Sequence, residues 1–231
     1  FHRDFMEYHS DRFHDFSLLI FDEKQNLKAI LPANRVGETL FSHQGLTYGG
    51  LVLNQKTKLQ EVIEMVNGLL FFLDKNEITK LHLKQIPSIY SDFPSDEVDY
   101  LSFILNAKIV RKDSLSVIDL HSNYKFSNSR KQEINKGIKN NLVVIEEENL
   151  EEFWNQVLIP NLKQKYNTNP VHSLEEIMGL KAKFPNNIRQ FNVYLNNKII
   201  AGTTVFETKN VVHSQYIWIL KWNLKMLYSM I

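Results

Sequence analysis

The chain has 231 residues, with 27 Lys and Arg against 26 Asp and Glu, a net charge of +1, and no cysteine. Disulfides, thiolate metal sites and cysteine nucleophiles are therefore excluded, and no global charge draws the chain to nucleic acid or to an acidic membrane. With 43% apolar residues, among them 15 Phe and 9 Tyr, the composition predicts a folded protein of one large or two small domains.

Residues 16–54 predict three strands. Two short apolar stretches, FSLLIFDE and LKAILPANRV, flank a turn at Gln25-Asn26 and predict a β-hairpin, with Pro32 marking an edge or a bulge. A third strand is predicted to lead into the loop SHQGLTYGG, residues 42–50, which holds three of the eight glycines of the chain.

The glycine-rich loop is a candidate ligand contact. Glycine is used where the backbone takes unusual dihedral angles or approaches another group closely. Gly45, Gly49 and Gly50 are therefore predicted to let the main chain face a ligand, while His43 and Tyr48 offer a base or hydrogen-bond donors. The alternative is a bulged strand end in which the glycines only relieve strain. The GxGxxG fingerprint is absent, so nothing here indicates a dinucleotide.

A helix, a strand, a second helix and a closing strand complete the first half. Apolar residues recur at three- and four-residue spacing over 59–73, which indicates an amphipathic helix, and Thr57 with Gln60 resembles a capping box. The stretch ITKLHLKQIP alternates apolar and polar residues and predicts a strand. An acid-rich first turn after Ser95 predicts a helix to about Ala107, and SLSVIDL predicts the closing strand.

The second half predicts the order α-β-α-α-β-β-β. Its first helix, within NYKFSNSRKQEINKGIKNN, carries five basic residues against one acid, Glu133. Among those basic residues, Arg130, Lys131 and Lys136 are predicted to bind a phosphate-bearing donor or a lipid-linked acceptor, because Lys and Arg recognise phosphate by charge and geometry. The alternative is an ordinary solvated helix face.

Two further helices follow, the first bent or broken near Pro160 and the second capped by Ser173 and Glu176. His172 directly precedes this cap and is predicted to meet an anion at the positive end of the helix. The alternative is a polar residue that only flanks the cap. The eight histidines form no HxxxH or HExxH pair, so no metal site is predicted.

The last predicted strand, in KNVVHSQYIWIL, follows a second hairpin. Simple alternation places His213 and Gln215 on one face, and Ser214 and Tyr216 on the other. Polar residues on an otherwise apolar strand are unusual for a plain core strand. His213, Gln215 and Tyr216 are therefore candidate substrate contacts.

The order of elements, together with HQGLTYGG, RKQEINKGIKN, PVHSLEE and VVHSQYI, resembles the Fem-like branch of the GNAT acyltransferase superfamily, and most of all its BioF2-like acetyltransferase-domain proteins. The resemblance implies an α/β (α+β) fold of two tandem GNAT-like lobes, residues 1–120 and 121–231. Each lobe would be a mixed, mostly antiparallel sheet flanked by helices. After about residue 220 the sequence lacks the glycine-rich turn that should hold a donor pyrophosphate, so the second lobe is expected to be incomplete.

The resemblance implies an N-acyltransferase that moves an acyl group from acyl-CoA, such as acetyl-CoA, to a small-molecule amine, without metal or DNA. The amine would be an amino sugar or a similar group in the assembly of cell-surface polysaccharide. His213 and Gln215 would be catalytic. The substrate-binding residues would be His43, Gly45, Tyr48, Gly49, Arg130, Lys131, Lys136, His172 and Tyr216.

Two alternatives stay open. One is a catalytically impaired GNAT-like binding module that completes its sheet with another chain, a homo-oligomer included. The other is an aminoacyl-tRNA-dependent transferase of the peptidoglycan-bridge type, against which the near-neutral charge argues. The chain has neither an uninterrupted apolar window that would span a membrane nor a signal-peptide core at its start, and a cytoplasmic protein is expected.

Overall fold

The computed structural model describes residues 2–220. The chain divides into two units, Phe1–Lys112 and Asp113–Ile231, and each unit is described by itself. Across residues 2–220 the fold is α/β, with helices and three small sheets. The division at residue 120 made from the sequence stays a prediction, and the expected break in the second lobe after residue 220 lies outside the described residues.

The first unit contains two three-stranded sheets and one long helix. Its helices are α1 (Arg3–Met6), α2 (Leu59–Lys75) and α3 (Glu97–Ile104), and its strands are β1 (Leu18–Phe21), β2 (Leu27–Leu31), β3 (Asn34–Val36), β4 (Thr39–Phe41), β5 (Val52–Leu53) and β6 (Lys80–His82). The order β1-β2-β5 is antiparallel throughout, which confirms the predicted hairpin. In β3-β4-β6, β4 runs antiparallel to β3 and parallel to β6.

The apolar stripe of α2 forms the core of the first unit. Val62, Met65, Leu69 and Leu73 are buried against apolar residues of the strands, as a three- and four-residue spacing predicts. The predicted capping box is displaced by one residue. The carboxylate of Glu61 accepts a hydrogen bond from the backbone N–H of Lys58 (2.8 Å), because the helix begins at Leu59.

Within its described residues, 113–220, the second unit consists of one antiparallel sheet and four α-helices, two of which are joined by a π-helical turn. Its helices are α4 (Asn128–Lys139), α5 (Glu151–Phe153), α6 (Ile159–Tyr166) and α7 (Leu174–Lys183), and its strands are β7 (Val143–Glu147), β8 (Ile188–Leu195), β9 (Lys198–Glu207) and β10 (Val212–Ile219). The strand order is β10-β9-β8-β7, so β10 and β7 are the two outer strands of the part of the sheet that the structure describes.

A widened helical turn joins α5 to α6. Residues Trp154–Leu158 form a π-helical segment in which the backbone N–H of Ile159 donates to the carbonyl of Trp154. Pro160 follows at the start of α6 and has no N–H to continue an α-helical ladder. The side-chain amide of Asn161 donates a hydrogen bond to the Val157 carbonyl (2.6 Å). This carbonyl therefore has a side-chain donor. The helix predicted to bend near Pro160 is therefore distorted one turn earlier.

Gly202 allows α5 to approach the sheet closely. It lies in the middle of β9, and a Cβ atom there would come within 2.5 Å of the Phe153 ring. Phe153 is fully buried, so the ring has little room to move away.

We expect Gly202→Ala to lower the free energy of unfolding of the second unit by about 2 kcal/mol, since overpacking a dense core forces side chains out of position. Gly179→Ala is the matched control, because a Cβ atom there meets nothing within 4 Å. Gly179 lies inside α7, where alanine should be neutral or stabilising. Urea titrations followed by tryptophan fluorescence report this unit, since all three tryptophans lie in it. Equal stability of the two variants would contradict the packing argument.

The strand predicted from SLSVIDL does not form. Residues 107–119 contain neither helix nor strand, and Leu115, Val117 and Ile118 are exposed. β-branched residues favour a strand, but a strand also needs a partner for its backbone groups, and local sequence does not provide one. The second predicted helix is likewise shorter than expected, at Glu97–Ile104.

None of the helices described within residues 2–220 is long and apolar enough to cross a bilayer.

Candidate functional site

The glycine-rich loop of the first unit is pinned to the segment that follows β6. The backbone N–H of Ser42 donates to the His82 carbonyl (2.9 Å), and that of Gly49 donates to the Lys84 carbonyl (2.7 Å). The hydroxyl of Ser42 accepts a bond from the Lys84 N–H (2.6 Å). Two main-chain hydrogen bonds and one to the Ser42 side chain therefore fix both ends of the loop.

His43 lies inside this loop, stacked on a second histidine. Its ring is parallel to that of His9, with 4.8 Å between centroids, and the two residues are only 3% and 1% exposed. Its backbone takes the left-handed conformation (φ 58°). Burial lowers the pKa of His43 to about 4, with His9 acting in the same direction, and burial also lowers the pKa of His9. Both rings are therefore neutral near pH 7.

The glycines of the loop are explained by contacts within the protein. A Cβ atom on Gly45 would overlap the His9 ring, and one on Gly49 would overlap the Ser42 carbonyl. Tyr48 packs against Tyr90 with 4.4 Å between ring centroids, and burial raises its pKa. A ligand contact for His43, Gly45, Tyr48 or Gly49 stays a prediction.

The predicted phosphate-binding residues lie on the exposed helix α4. Arg130, Lys131 and Lys136 are exposed, and Arg130 forms an ion pair with Glu133 (2.9 Å). Ser127 caps the helix by accepting the Arg130 N–H (3.2 Å). Phosphate binding by these residues stays a prediction.

His172 and Tyr216 meet in the second unit. Nδ1 of His172 lies 2.6 Å from the hydroxyl of Tyr216, and the backbone N–H of His172 donates to the same oxygen (3.2 Å). His172 is only 5% exposed. The predicted capping box is confirmed, because Ser173 and Glu176 bond each other's backbone N–H groups (2.7 and 3.1 Å). The cap holds His172 at the entrance of α7, from which its ring reaches β10.

A β-bulge in β10 corrects the predicted alternation. Ser214 pairs with Val205 and Tyr216 pairs with Thr204, so Gln215 is an extra residue without a partner in β9. Adjacent residues of β9 face opposite sides of the sheet, and Ser214 and Tyr216 therefore do not share a face. His213, opposite Phe206, falls on the same face as Tyr216.

The structure thus brings His172, His213 and Tyr216 to one face of the second sheet, with Gln215 at the bulge between the last two. Aromatic rings enclose the pair of His172 and Tyr216. Trp154 lies edge-on to Tyr216 (4.8 Å), and Phe206 lies edge-on to His172 (6.3 Å). The predicted residues of the glycine-rich loop belong to the first unit.

Burial dominates the electrostatics of this cluster. Burial raises the pKa of Tyr216, while hydrogen bonds from the His172 backbone and the Gln215 side chain act in the opposite direction. Burial also lowers the pKa of His213. The Oε1 atom of Gln215 is buried and has no hydrogen-bond partner within the described residues. An imidazole bonded to a phenol can accept a proton and pass it on.

Five polar or aromatic residues beside this pair were not predicted from the sequence: Trp154, Gln190, Asn192, Tyr194 and Thr204. Hydrogen bonds join them to one another between the π-helical turn and strands β8 and β9. A signal for part of this set was available. Gln190, Asn192 and Tyr194 alternate along IRQFNVYL, which places three polar groups on one face of β8. No group of three or more His, Asp or Glu residues that could hold a metal ion occurs within residues 2–220.

Comparison with known proteins shows a likeness of fold. No family model matches the chain, and no curated protein matches it. Among solved structures, it is similar to the "C-terminal Domain (DUF2156) of Putative Lysylphosphatidylglycerol Synthetase from Agrobacterium fabrum", with a TM-score of 0.53 and 12% identity. The match covers 93% of this chain and 65% of that one, so the chain spans about two thirds of its neighbour.

Proposed function

We propose that the chain transfers an acyl or aminoacyl group to an amine, with Tyr216 and His172 accepting the proton that the amine must lose. The observation that carries the proposal is the 2.6 Å contact between these two side chains beside a β-bulge. Bulges often occur next to active sites, where they redirect a side chain. The name of the structural neighbour, a "Lysylphosphatidylglycerol Synthetase", supports the transfer of an acyl or aminoacyl group as the class of chemistry.

In the proposed reaction, the neutral amine attacks the carbonyl carbon of the donor. A nitrogen–carbon bond forms, the bond from carbon to the leaving sulfur or oxygen breaks, and the proton of the amine passes to the pair of Tyr216 and His172. The pair then returns the proton to the leaving group. His213 would act as a second base, and Gln215 would donate a hydrogen bond to the carbonyl oxygen as it gains charge.

For the donor we propose acyl-CoA, with an amino sugar or a similar amine of the cell envelope as the acceptor. An aminoacyl-tRNA donor is the alternative, and the lysyl group in the name of the neighbour supports an aminoacyl group as the one transferred. Both donors carry phosphate, and the exposed Arg130, Lys131 and Lys136 supply charge of the matching sign.

Two binding experiments test the proposal. In isothermal titration, acetyl-CoA should give saturable heat if acyl-CoA is the donor. In filter retention at low salt, lysyl-tRNA should be held, with a steep loss as salt rises, if tRNA is the donor. The absence of both signals would overturn the transferase proposal and favour a binding module without catalytic activity.

His213→Ala is expected to lower the transfer rate more than about tenfold without unfolding the protein, because a group that moves a proton contributes at least this much. Ser214→Ala is the matched control. Ser214 is the next residue and exposed, and it points to the opposite face of the sheet. Both variants should be assayed with the donor that binds, alongside circular dichroism. Unchanged turnover in H213A would remove His213 from the proposed site.

A further inference from the structure

A continuous series of hydrogen bonds connects α5 and the π-helical turn of the second unit to strands β8 and β9. Its five bonds are Trp154 Nε1 to Thr204 Oγ1 (3.2 Å), Thr204 Oγ1 to Gln190 Oε1 (2.6 Å), Gln190 Nε2 to Asn192 Oδ1 (2.7 Å), Asn192 Nδ2 to the Tyr194 hydroxyl (3.2 Å), and that hydroxyl to Glu152 Oε2 (2.7 Å). We call these six residues the polar chain. Four of them, from Trp154 to Asn192, are completely buried.

The two ends of the polar chain fix the direction of every bond in it. The indole N–H of Trp154 can only donate, so the Thr204 hydroxyl accepts there and gives its single proton to Gln190. The amide of Gln190 must then accept through oxygen and donate through nitrogen, and the same holds for Asn192. At the other end, the Glu152 carboxylate can only accept. One arrangement of hydrogens therefore satisfies the whole chain.

Thr204 connects the polar chain to the pair of His172 and Tyr216 in two ways. It lies directly opposite Tyr216 in the ladder between β9 and β10. It also holds the indole of Trp154, whose ring packs edge-on against the Tyr216 ring at 69°. The indole is thus bonded to Thr204 at its nitrogen and in contact with Tyr216 through its ring.

We propose that Thr204 is a positioning residue, which orients the Tyr216 hydroxyl toward His172 by holding the Trp154 ring in place. The hydroxyl of Thr204 accepts a hydrogen bond from the Trp154 N–H and donates one to the amide oxygen of Gln190. Its loss would leave the Trp154 N–H and the Gln190 oxygen buried without partners, which is costly. The indole would then lose its fixed orientation, and with it the contact that holds the Tyr216 ring. The inference concerns the same pair as the proposed function.

Thr204→Val keeps the size of the side chain and removes both hydrogen-bonding roles. The readout is the nitrogen-15 chemical shift of His172 Nδ1, which reports whether that atom accepts a hydrogen bond and requires no substrate. In T204V we expect this shift to move toward the value of a free imidazole nitrogen, and in Thr204→Ser we expect it to return to the parent value. Thr168→Val, at an exposed threonine, should leave it unchanged.

Tyr194→Phe separates positioning from general loss of stability. It breaks the polar chain at the far end, next to Glu152, and leaves the bond between Thr204 and Trp154 in place. We expect it to destabilise the unit without moving the His172 shift. If T204V does not fold, Trp154→Phe removes the indole N–H, and with it the bond to Thr204. Its smaller ring also loses the fixed contact with Tyr216, and the variant should move the shift in the same direction.

A folded T204V with the parent shift at His172 would overturn the inference. A shift in Y194F as large as that in T204V would also overturn it, because the effect would then follow stability alone. Failure of the transferase proposal gives a different pattern. In that case neither donor binds, while the nitrogen-15 shifts of T204V and Thr204→Ser still behave as expected.

Discussion

Replacing Tyr216 with Phe is expected to lower the transfer rate about 100-fold, since loss of a general acid or base typically costs 10²- to 10⁴-fold. The phenylalanine ring keeps the edge-on contact with Trp154 but cannot bond Nδ1 of His172. Single-turnover rates with the donor that binds would measure the effect. Affinity for the donor should change little, since the hydroxyl is proposed to act on the proton of the acceptor.

Two comparisons make this expectation specific. Tyr166→Phe removes a hydroxyl from an exposed tyrosine of the same unit and should leave the rate unchanged. His172→Gln combined with Tyr216→Phe should cost little more than either change alone, because groups that act as a unit are not additive. Additive losses in the double variant would show that the two side chains act separately. A parent-like rate in Y216F would remove the hydroxyl from the mechanism.

Acidification should destabilise the first unit by about 3 kcal/mol between pH 7.5 and pH 4 through His43 alone. The pKa of this ring falls from 6.5 to about 4 on folding, and one pKa unit corresponds to 1.36 kcal/mol. Between these values the unfolded chain binds a proton that the native protein does not, so stability is lost as the pH falls. Lys84 and Arg3 act in the same direction as burial, and Asp15 opposes it.

His9 adds to the loss, because burial also lowers its pKa. Asp15 and Glu61 have lowered pKa values through hydrogen bonds and ion pairs, and their contributions disappear only at more acidic pH. His43→Asn isolates the effect of His43. Asparagine tolerates the left-handed backbone of this position and does not titrate.

The measurement is urea unfolding at a series of pH values, followed by amide NMR signals of α2. We expect His43→Asn to be less stable than the parent at pH 7.5, because it loses the stacked ring. Its decline toward pH 4 should be smaller by about 3 kcal/mol. An identical pH dependence in the two proteins would show that His43 does not carry the effect.

Local patterns were sufficient to predict several elements. The spacing of Leu69 and Leu73 predicted α2, and Ser173 with Glu176 predicted the start of α7. These features depend on contacts between residues close in sequence, and such contacts form independently of the rest of the fold. The strand over 114–120 was wrong because a strand requires a partner, and the alternation of side chains contains no information about one.

The candidate site was predictable only in part. His172 and Tyr216 were each singled out, but their contact joins residues 44 positions apart and follows from the packing of α7 on the sheet. The ring of His9 fills the space beside Gly45, and the glycine pattern alone contains no information about this contact between residues far apart in sequence. Thr204 was missed because a threonine in a β-strand is ordinary until its partners are known.

The bulge at Gln215 has a consequence for comparing this protein with its relatives. Inward-facing and outward-facing residues alternate along β10, and this alternation shifts by one position at the extra residue. An ungapped alignment with a chain that has a regular strand would equate His213 with residues pointing the other way. A chain with one residue fewer at this point that has a histidine on the same face would show it one column away from His213 in such an alignment.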